Sequence, residues 1–139
     1  MKTSIQPEPY RYLDNAKDIL STKAEKDGDY YNDAKYVCMA CNTAYSGLLL
    51  AMNELFKYKK IEFPTPKGKR TQSVNVDFYK DNLSQINKSM LKDFNSAYNY
   101  LHLFGGYDGD LSVATSQRGL KLARNIIDWI YNTQVKTSK

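Results

Sequence analysis

"DYYNDAKYVCMACNTAYSGLLLAMNELFKYKK", residues 29–60, is the longest stretch of the chain with one continuous pattern. Its apolar residues recur at spacings of three and four, as they do on one face of an amphipathic helix. Asp29 suits an N-cap position, so the pattern predicts a single helix from Asp29 to about Lys60. Such a helix would be roughly 45 Å long and would be the central element of the fold. Its apolar positions are Ala34, Val37, Cys38, Cys41, Ala44, Tyr45, Leu48, Met52, Leu55 and Phe56.

The same spacing predicts one helix before this stretch and one after it. The first helix is expected to begin at Pro9, which fits a first-turn position, and to stop at Gly28. The third helix is expected to follow a capping residue, either Ser73 or Asn75. Its polar stretch "DNLSQINKS", residues 81–89, allows a kink or a break.

A last helix is predicted to begin at Asp110 or Ser112 and to run to about Asn132. Gly119 lies inside it, where a glycine costs about 1 kcal/mol relative to alanine. We therefore expect Gly119 to mark a kink or a close helix crossing.

No segment alternates between apolar and polar residues as a strand does. The pattern predicts an all-α fold, an antiparallel up-and-down bundle of four to five helices. The chain has 139 residues, which suits one domain. We expect that domain to span residues 1–139, with flexible tails at 1–8 and 133–139.

The first ten residues, "MKTSIQPEPY", lack the apolar stretch of a signal peptide. No apolar run approaches the ~20 residues that a bilayer crossing needs. We therefore expect a cytoplasmic protein that does not contact membranes.

Cys38 and Cys41 form a CxxC pair, a spacing found in zinc sites and in redox disulfides. Zinc requires further ligands, and the chain has a single histidine and no second CxxC. The chain also has no phosphate-binding glycine loop. The pair also lies on the predicted helix stripe, well after its first turn. We interpret both cysteines as structural and predict neither a metal nor a cofactor.

The net charge of +5 comes entirely from residues 57–70, which hold six basic residues and one acidic residue. The other residues balance, with 14 basic and 14 acidic side chains. A basic segment with interleaved aromatic residues could contact phosphates and stack on bases, although a solvated loop is the commoner structure for such a segment. The candidate nucleic-acid contacts are Lys57, Lys59, Lys60, Lys67, Lys69 and Arg70.

"YLHLFGGYDGDLS", residues 100–112, contains the one histidine of the chain. We interpret this stretch as the junction of two helices, in which His102 lies in the last turn. Gly105 or Gly106 would adopt the left-handed conformation that ends helices, followed by a turn and a new cap. The alternative is a small polar site formed by His102, Tyr107, Asp108 and Asp110.

Three stretches carry a family resemblance: 27–49, 97–109 and the closing "GLKLARNIIDWI". Together they resemble a family of short, uncharacterised bacterial proteins with a HEPN-like helical bundle. The wider HEPN class resembles this sequence in architecture only. That class includes ribonucleases and toxin components, and its members are often dimeric. Its ribonucleases use an arginine that precedes a histidine by five to seven positions. Residues 95–97, at those distances from His102, are Asn, Ser and Ala.

Two functions remain open. The first is a non-enzymatic helical interaction module that forms a homo-oligomer or binds a protein partner. The broad apolar stripe of the last helix, with Ile126 and Trp129, favours self-association. The second is an RNA-binding or RNA-cutting bundle that uses residues 57–70 and His102.

Overall fold

Five α-helices form the part of the chain that the computed structural model describes, residues 6–64 and 75–135. They are α1 (Glu8–Ile19), α2 (Ala34–Tyr58), α3 (Val76–Ile86), α4 (Lys88–Ala97) and α5 (Val113–Trp129). Three of them continue in π-helical turns, named π1 (Leu20–Ala24), π2 (Tyr98–Tyr107) and π3 (Ile130–Gln134). Each π-helical segment shows the wider hydrogen bond of this geometry, as from the Glu25 amide to the Leu20 carbonyl at 3.1 Å.

Helix α1 and segment π2 both pack against α2. Gly47 of α2 lies against Tyr12 and Pro9 of α1, while the π2 residue Gly105 lies against Cys41. Elsewhere in the bundle, the Tyr10 hydroxyl of α1 donates to the Asp128 carboxylate of α5. The described residues therefore form a mostly helical bundle, as predicted.

The stripe of α2 forms the centre of the core, as its spacing predicts. Leu48, Met52 and Phe56 are fully buried, and residues of all the other helices pack around them. The two exceptions in the predicted stripe are Ala34, which is exposed, and Cys38, which is half-buried. No helix in the described ranges combines the length and the apolar character that a bilayer crossing requires.

Helix α2 begins four residues later than predicted, so Asp29 is not its N-cap. Asp33 has that role, and its carboxylate accepts a hydrogen bond from the Lys35 amide at 3.0 Å. The reason lies outside the helix. Residue 29 lies in a turn, where its carbonyl accepts from the Val113 amide at 2.9 Å.

The prediction that no strand exists is wrong for one short hairpin. Strand β1 (Lys26–Asp27) pairs with β2 (Tyr30–Tyr31) in antiparallel register. Strands of two residues are too short to show an alternating pattern. Gly28 turns this hairpin with φ of 69° and does not stop the first helix, which ends at Ala24 before Glu25.

The third predicted helix is broken, as residues 81–89 allow. Asn87 adopts an extended conformation between α3 and α4, and its side chain accepts from the Met90 amide at 3.0 Å. Asn75 caps α3 in the same way, accepting from the Phe78 amide at 3.3 Å. The other candidate cap, Ser73, lies outside the described residues.

The helix containing His102 ends later than predicted. It continues as π2 to Tyr107, so His102 does not lie in the last turn. Gly105 and Gly106 have helical rather than left-handed conformations, and the residue with positive φ is Gly109, at 66°. Wider π-helical turns carry the backbone past the two glycines without ending the helix.

The last helix, α5, begins where predicted and uses both candidate residues. Ser112 occupies the N-cap position, but the Asp110 carboxylate makes the hydrogen bonds, to the Ser112 amide and the Thr115 hydroxyl, both at 2.9 Å. Gly119 marks a close crossing, because a Cβ there would lie 2.6 Å from Leu101 Cδ2.

Candidate functional site

The CxxC pair lies where α2 meets π2. Cys41 is buried and Cys38 is half-buried, and neither forms a disulfide. Burial, with Cys38 and Asp110 nearby, raises the pKa of the Cys41 thiol to about 12. A thiol with such a pKa is a poor nucleophile and a poor metal ligand at neutral pH. Among the described residues, no group of three or more metal-binding side chains comes together.

His102 lies in an aromatic stack. Its ring centroid is 4.9 Å from that of Tyr45 and 5.1 Å from that of Tyr98. Its Nδ1 atom is buried without a hydrogen-bond partner in the described part of the chain. Burial raises the pKa of the Tyr45 hydroxyl well above its ordinary value. The histidine therefore contacts the rings of Tyr45 and Tyr98. No carboxylate of the described residues forms a hydrogen bond that would orient it as a general base.

The other three residues of the predicted polar site lie further along the chain. Tyr107 and Asp108 are exposed at the end of π2. Asp110 caps α5 through Ser112 and Thr115. No hydrogen bond or ion pair within residues 75–135 joins His102 to either aspartate, so the structure does not bring the four residues together.

Gly105 and Gly106 are needed for close approach. A Cβ on Gly105 would overlap the Cys41 sulfur, and one on Gly106 would overlap the Asn42 side chain. The Asn42 amide instead donates to the Gly106 carbonyl at 3.3 Å. The two glycines therefore allow π2 to lie directly on the cysteine face of α2.

The lysines of the predicted basic segment lie at the opposite end of α2. Lys57, Lys59 and Lys60 are all exposed there. Lys67, Lys69 and Arg70 lie outside the described residues. A cavity of about 800 Å³ opens beside this helix end, and its lining includes Lys57 and Lys60 but not Lys59.

A second surface feature was not predicted from the sequence. Six large apolar or aromatic side chains of the described part are clearly exposed, and one of them, Tyr58, lies near the lysines. The other five belong to elements that meet at the far end of α2, and we call them the apolar end patch. They are Tyr30, Met39, Phe104, Tyr107 and Leu111.

Backbone contacts bring the segments of the apolar end patch together. The Tyr31 amide donates to the Leu111 carbonyl at 2.8 Å, and the Asp110 amide donates to the Phe104 carbonyl at 2.9 Å. Asn42, which contacts Gly106, lies one helical turn from Met39. The apolar side chains within residues 103–111 are visible in the sequence. Residue spacing alone would place such side chains in the core.

Comparisons with known proteins identify the family of the chain. A family model described as "Domain of unknown function (DUF5618)" matches residues 4–132. A solved structure of a protein of unknown function from Dyadobacter fermentans is 43% identical, with a TM-score of 0.74, and the match covers 88% of this chain and 89% of that chain. No curated protein matches the chain. The resemblance to an uncharacterised family is thus confirmed, and the chain belongs to the DUF5618 family of domains of unknown function.

Proposed function

We propose that this protein is a non-enzymatic helical interaction module that forms a homodimer through the apolar end patch. Exposure carries the proposal. Tyr107 is 83% exposed, Tyr30 60%, Met39 48% and Phe104 42%. Exposed apolar side chains that are grouped on neighbouring segments of a folded domain are typical of protein–protein contacts. The last helix offers less support, because Ile126 is fully buried and Trp129 packs against the core.

Charge favours a second copy of the chain as the occupant of this patch. In a two-fold contact the same surface meets itself, so its charges must be balanced. Charged groups of both signs lie next to these residues. Asp29 and Asp108 adjoin Tyr30 and Tyr107 in the chain, and Lys35 lies one helical turn before Met39. Arg118 lies over the Tyr100 ring, which contacts Phe104. The exposed Lys57, Lys59 and Lys60 lie at the other end of α2, roughly 37 Å away for a helix of this length. Two copies can therefore meet at the apolar end without bringing these three lysines together.

Two finer features belong to the same proposal. The packing of α1 and π2 on α2 supports a HEPN-like bundle, although architecture alone does not assign a function. The two free thiols suit a reducing compartment, which supports a cytoplasmic location.

The oligomeric state tests the proposal. Light scattering of the wild-type protein should give about 32 kDa, twice the chain mass of 16.0 kDa, at micromolar concentrations. The double variant Phe104→Glu/Tyr107→Glu should give the monomer mass with unchanged far-UV circular dichroism, because it buries four like charges in a two-fold interface.

Tyr58→Glu is the matched control, since Tyr58 is 47% exposed but lies outside the patch. It should remain dimeric. A monomeric wild type at several hundred micromolar, or equal dissociation by Tyr58→Glu, would contradict the proposal.

RNA binding, with or without cleavage, is the alternative, and the three exposed lysines at the end of α2 favour it. These lysines and His102 would not form one site. His102 stacks on Tyr45, which precedes Lys57 by twelve residues, or roughly 18 Å along the helix. An RNA interaction would therefore depend on the lysines, with His102 remote from them.

Fluorescence anisotropy with a labelled single-stranded RNA distinguishes the two functions. Binding by a basic surface should weaken steeply between 50 and 200 mM salt, roughly a decade or more for a few phosphate contacts. We expect no salt-dependent binding and no cleavage. Tight, salt-sensitive binding that is lost in a triple Lys57→Gln/Lys59→Gln/Lys60→Gln variant would favour the alternative.

A further inference from the structure

The cavity at the end of α2 is lined by both basic and apolar side chains. Lys57 and Lys60 supply positive charge, while Ile61, Phe63 and Tyr79 supply apolar surface. Its volume of about 800 Å³ is within the range of small-molecule sites. We propose that this cavity binds a small organic anion with a planar apolar body. The anionic group lies against Lys57 and Lys60, and the planar body lies against Phe63.

The apolar side of the cavity rests on packed rings. The Phe63 ring centroid is 5.1 Å from that of Phe78 and 6.2 Å from that of Phe56. Tyr79, also in the lining, lies 5.8 Å from Phe56 and 6.3 Å from Phe94. Phe56 and Phe94 are fully buried, so the half-buried Phe63 is held by the core. A ring fixed in this way offers a preformed stacking face for a flat ligand.

A polar group in the lining is also fixed. The Tyr79 hydroxyl donates to the Asn53 side-chain oxygen at 2.7 Å. This bond leaves the Asn53 amide nitrogen as a donor, and it makes no hydrogen bond to the described part of the chain. Asn53 can therefore donate to an anionic group in the cavity at little cost in side-chain freedom.

The backbone places Lys60 at the cavity in a conformation that glycine usually occupies. Lys60 has φ of 62°, directly after the last turn of α2. The Ile61 amide donates to the Phe56 carbonyl at 2.9 Å, and the Lys60 amide donates to the Lys57 carbonyl at 3.0 Å. These two bonds define the helix ending in which glycine is favoured at the left-handed position. A lysine there accepts backbone strain, and its side chain lines the cavity.

Among the described lining residues Glu62 is the one acidic group, and the two lysines exceed it by one charge. An anion is therefore favoured over a cation, although Glu62 weakens the attraction. Removing the Glu62 charge should strengthen the binding of any anion in this cavity.

The probe for the test is 1-anilinonaphthalene-8-sulfonate, an anion with a planar naphthalene body whose fluorescence rises on binding. Lys57→Gln and Lys60→Gln should each weaken its binding about fivefold, as expected for loss of one charge contact near the surface. Lys59→Gln removes the same charge from the same helix end outside the lining and should have little effect. Glu62→Gln should tighten binding.

Two further comparisons separate a binding role from a structural one. The uncharged analogue N-phenyl-1-naphthylamine should bind equally well to the wild type and both lysine variants. Lys60→Gly should raise the Tm by relieving the positive φ, and it should weaken binding of the sulfonate. The apolar end patch could also bind the probe. The weaker binding caused by Lys57→Gln and Lys60→Gln should therefore also be measured in the Phe104→Glu/Tyr107→Glu background, where it should persist. Equal effects of all three lysine variants, or no effect of any, would overturn the inference, whether or not the protein is a dimer.

Discussion

At the scale of single residues, Gly105 allows π2 to lie directly against Cys41 of α2. We predict that Gly105→Ala destabilises the protein by about 1–3 kcal/mol, since an added methyl group must displace a buried neighbour. Urea unfolding should show the loss as a lower midpoint with an unchanged slope.

Cys41→Ala supplies the control for this clash. The Cβ that Gly105→Ala adds would meet the Cys41 sulfur first, and then Cys41 Cβ at 2.9 Å. The double variant Gly105→Ala/Cys41→Ala should therefore recover part of the loss, with a coupling of about 0.5 kcal/mol or more. Strict additivity of the two substitutions would show that the clash is relieved elsewhere.

His102 contributes to packing and also holds an unsatisfied atom. We predict that His102→Ala costs about 1 kcal/mol, because the ring contacts with Tyr45 and Tyr98 are lost. His102→Phe keeps a ring in the stack and removes the buried nitrogen that lacks a partner. It should therefore be at least as stable as the wild type in thermal melts. A large drop in the Tm of His102→Phe would show that the histidine nitrogens make a stabilising contact.

At the scale of elements, one residue makes the junction between α3 and α4. Asn87 ends α3 because its backbone is extended, although its amide still donates to the Leu83 carbonyl at 2.8 Å, and it caps α4 through Met90. We predict that Asn87→Ala costs about 1 kcal/mol and that Asn87→Asp, which can also cap, costs little. Chemical denaturation of both variants measures the difference. Equal losses would show that the extended conformation of residue 87 matters more than its cap.

The same junction explains why the broken helix could be anticipated but not located from the sequence. The stretch 81–89 is polar enough to break a helix at several residues. Asn87 is the position at which the chain turns so that Leu83 and Phe94 both reach the core. That choice depends on where α2 and α5 lie.

At the scale of the whole molecule, several buried acids make the fold sensitive to alkaline pH. Burial raises the pKa of Cys41 from about 9 to about 12 and that of Tyr131 from about 10 to about 12. Burial also raises the pKa of Tyr10 and Tyr45. The unfolded chain releases these protons at lower pH than the folded chain does. The stabilisation is therefore complete below about pH 9 and is lost as the pH rises towards 12.

We predict that the Tm falls above pH 9. The free energy of unfolding should decrease by about 1.4 kcal/mol per pH unit for each group that ionises only on unfolding. Thermal melts at half-unit intervals from pH 8 to 11 measure this slope. Cys41→Ala should flatten the curve between pH 9 and 10, where the tyrosines do not yet contribute. An identical slope in that variant would show that Cys41 does not ionise on unfolding in this range.

The sequence by itself determined the helical fold, because burial along one helix leaves a direct trace in residue spacing. The stripe from Val37 to Phe56 is buried almost as predicted, and the structural interpretation of Cys41 agrees with its burial. The same spacing located α5 and the region of the break before α4. Membership in an uncharacterised family was also recognisable from the residues around Gly105 and Gly109.

Only the tertiary structure decided what neighbouring elements do to one another. The short hairpin exists because Tyr31 pairs with the segment before α5, and that pairing moved the start of α2 from Asp29 to Asp33. Gly105 looked like a helix end, but it is required where Cys41 crosses π2. Spacing could not distinguish the exposed Phe104 and Tyr107 from core residues. Exposure depends on whether another helix covers a residue, and that is a property of the assembled bundle.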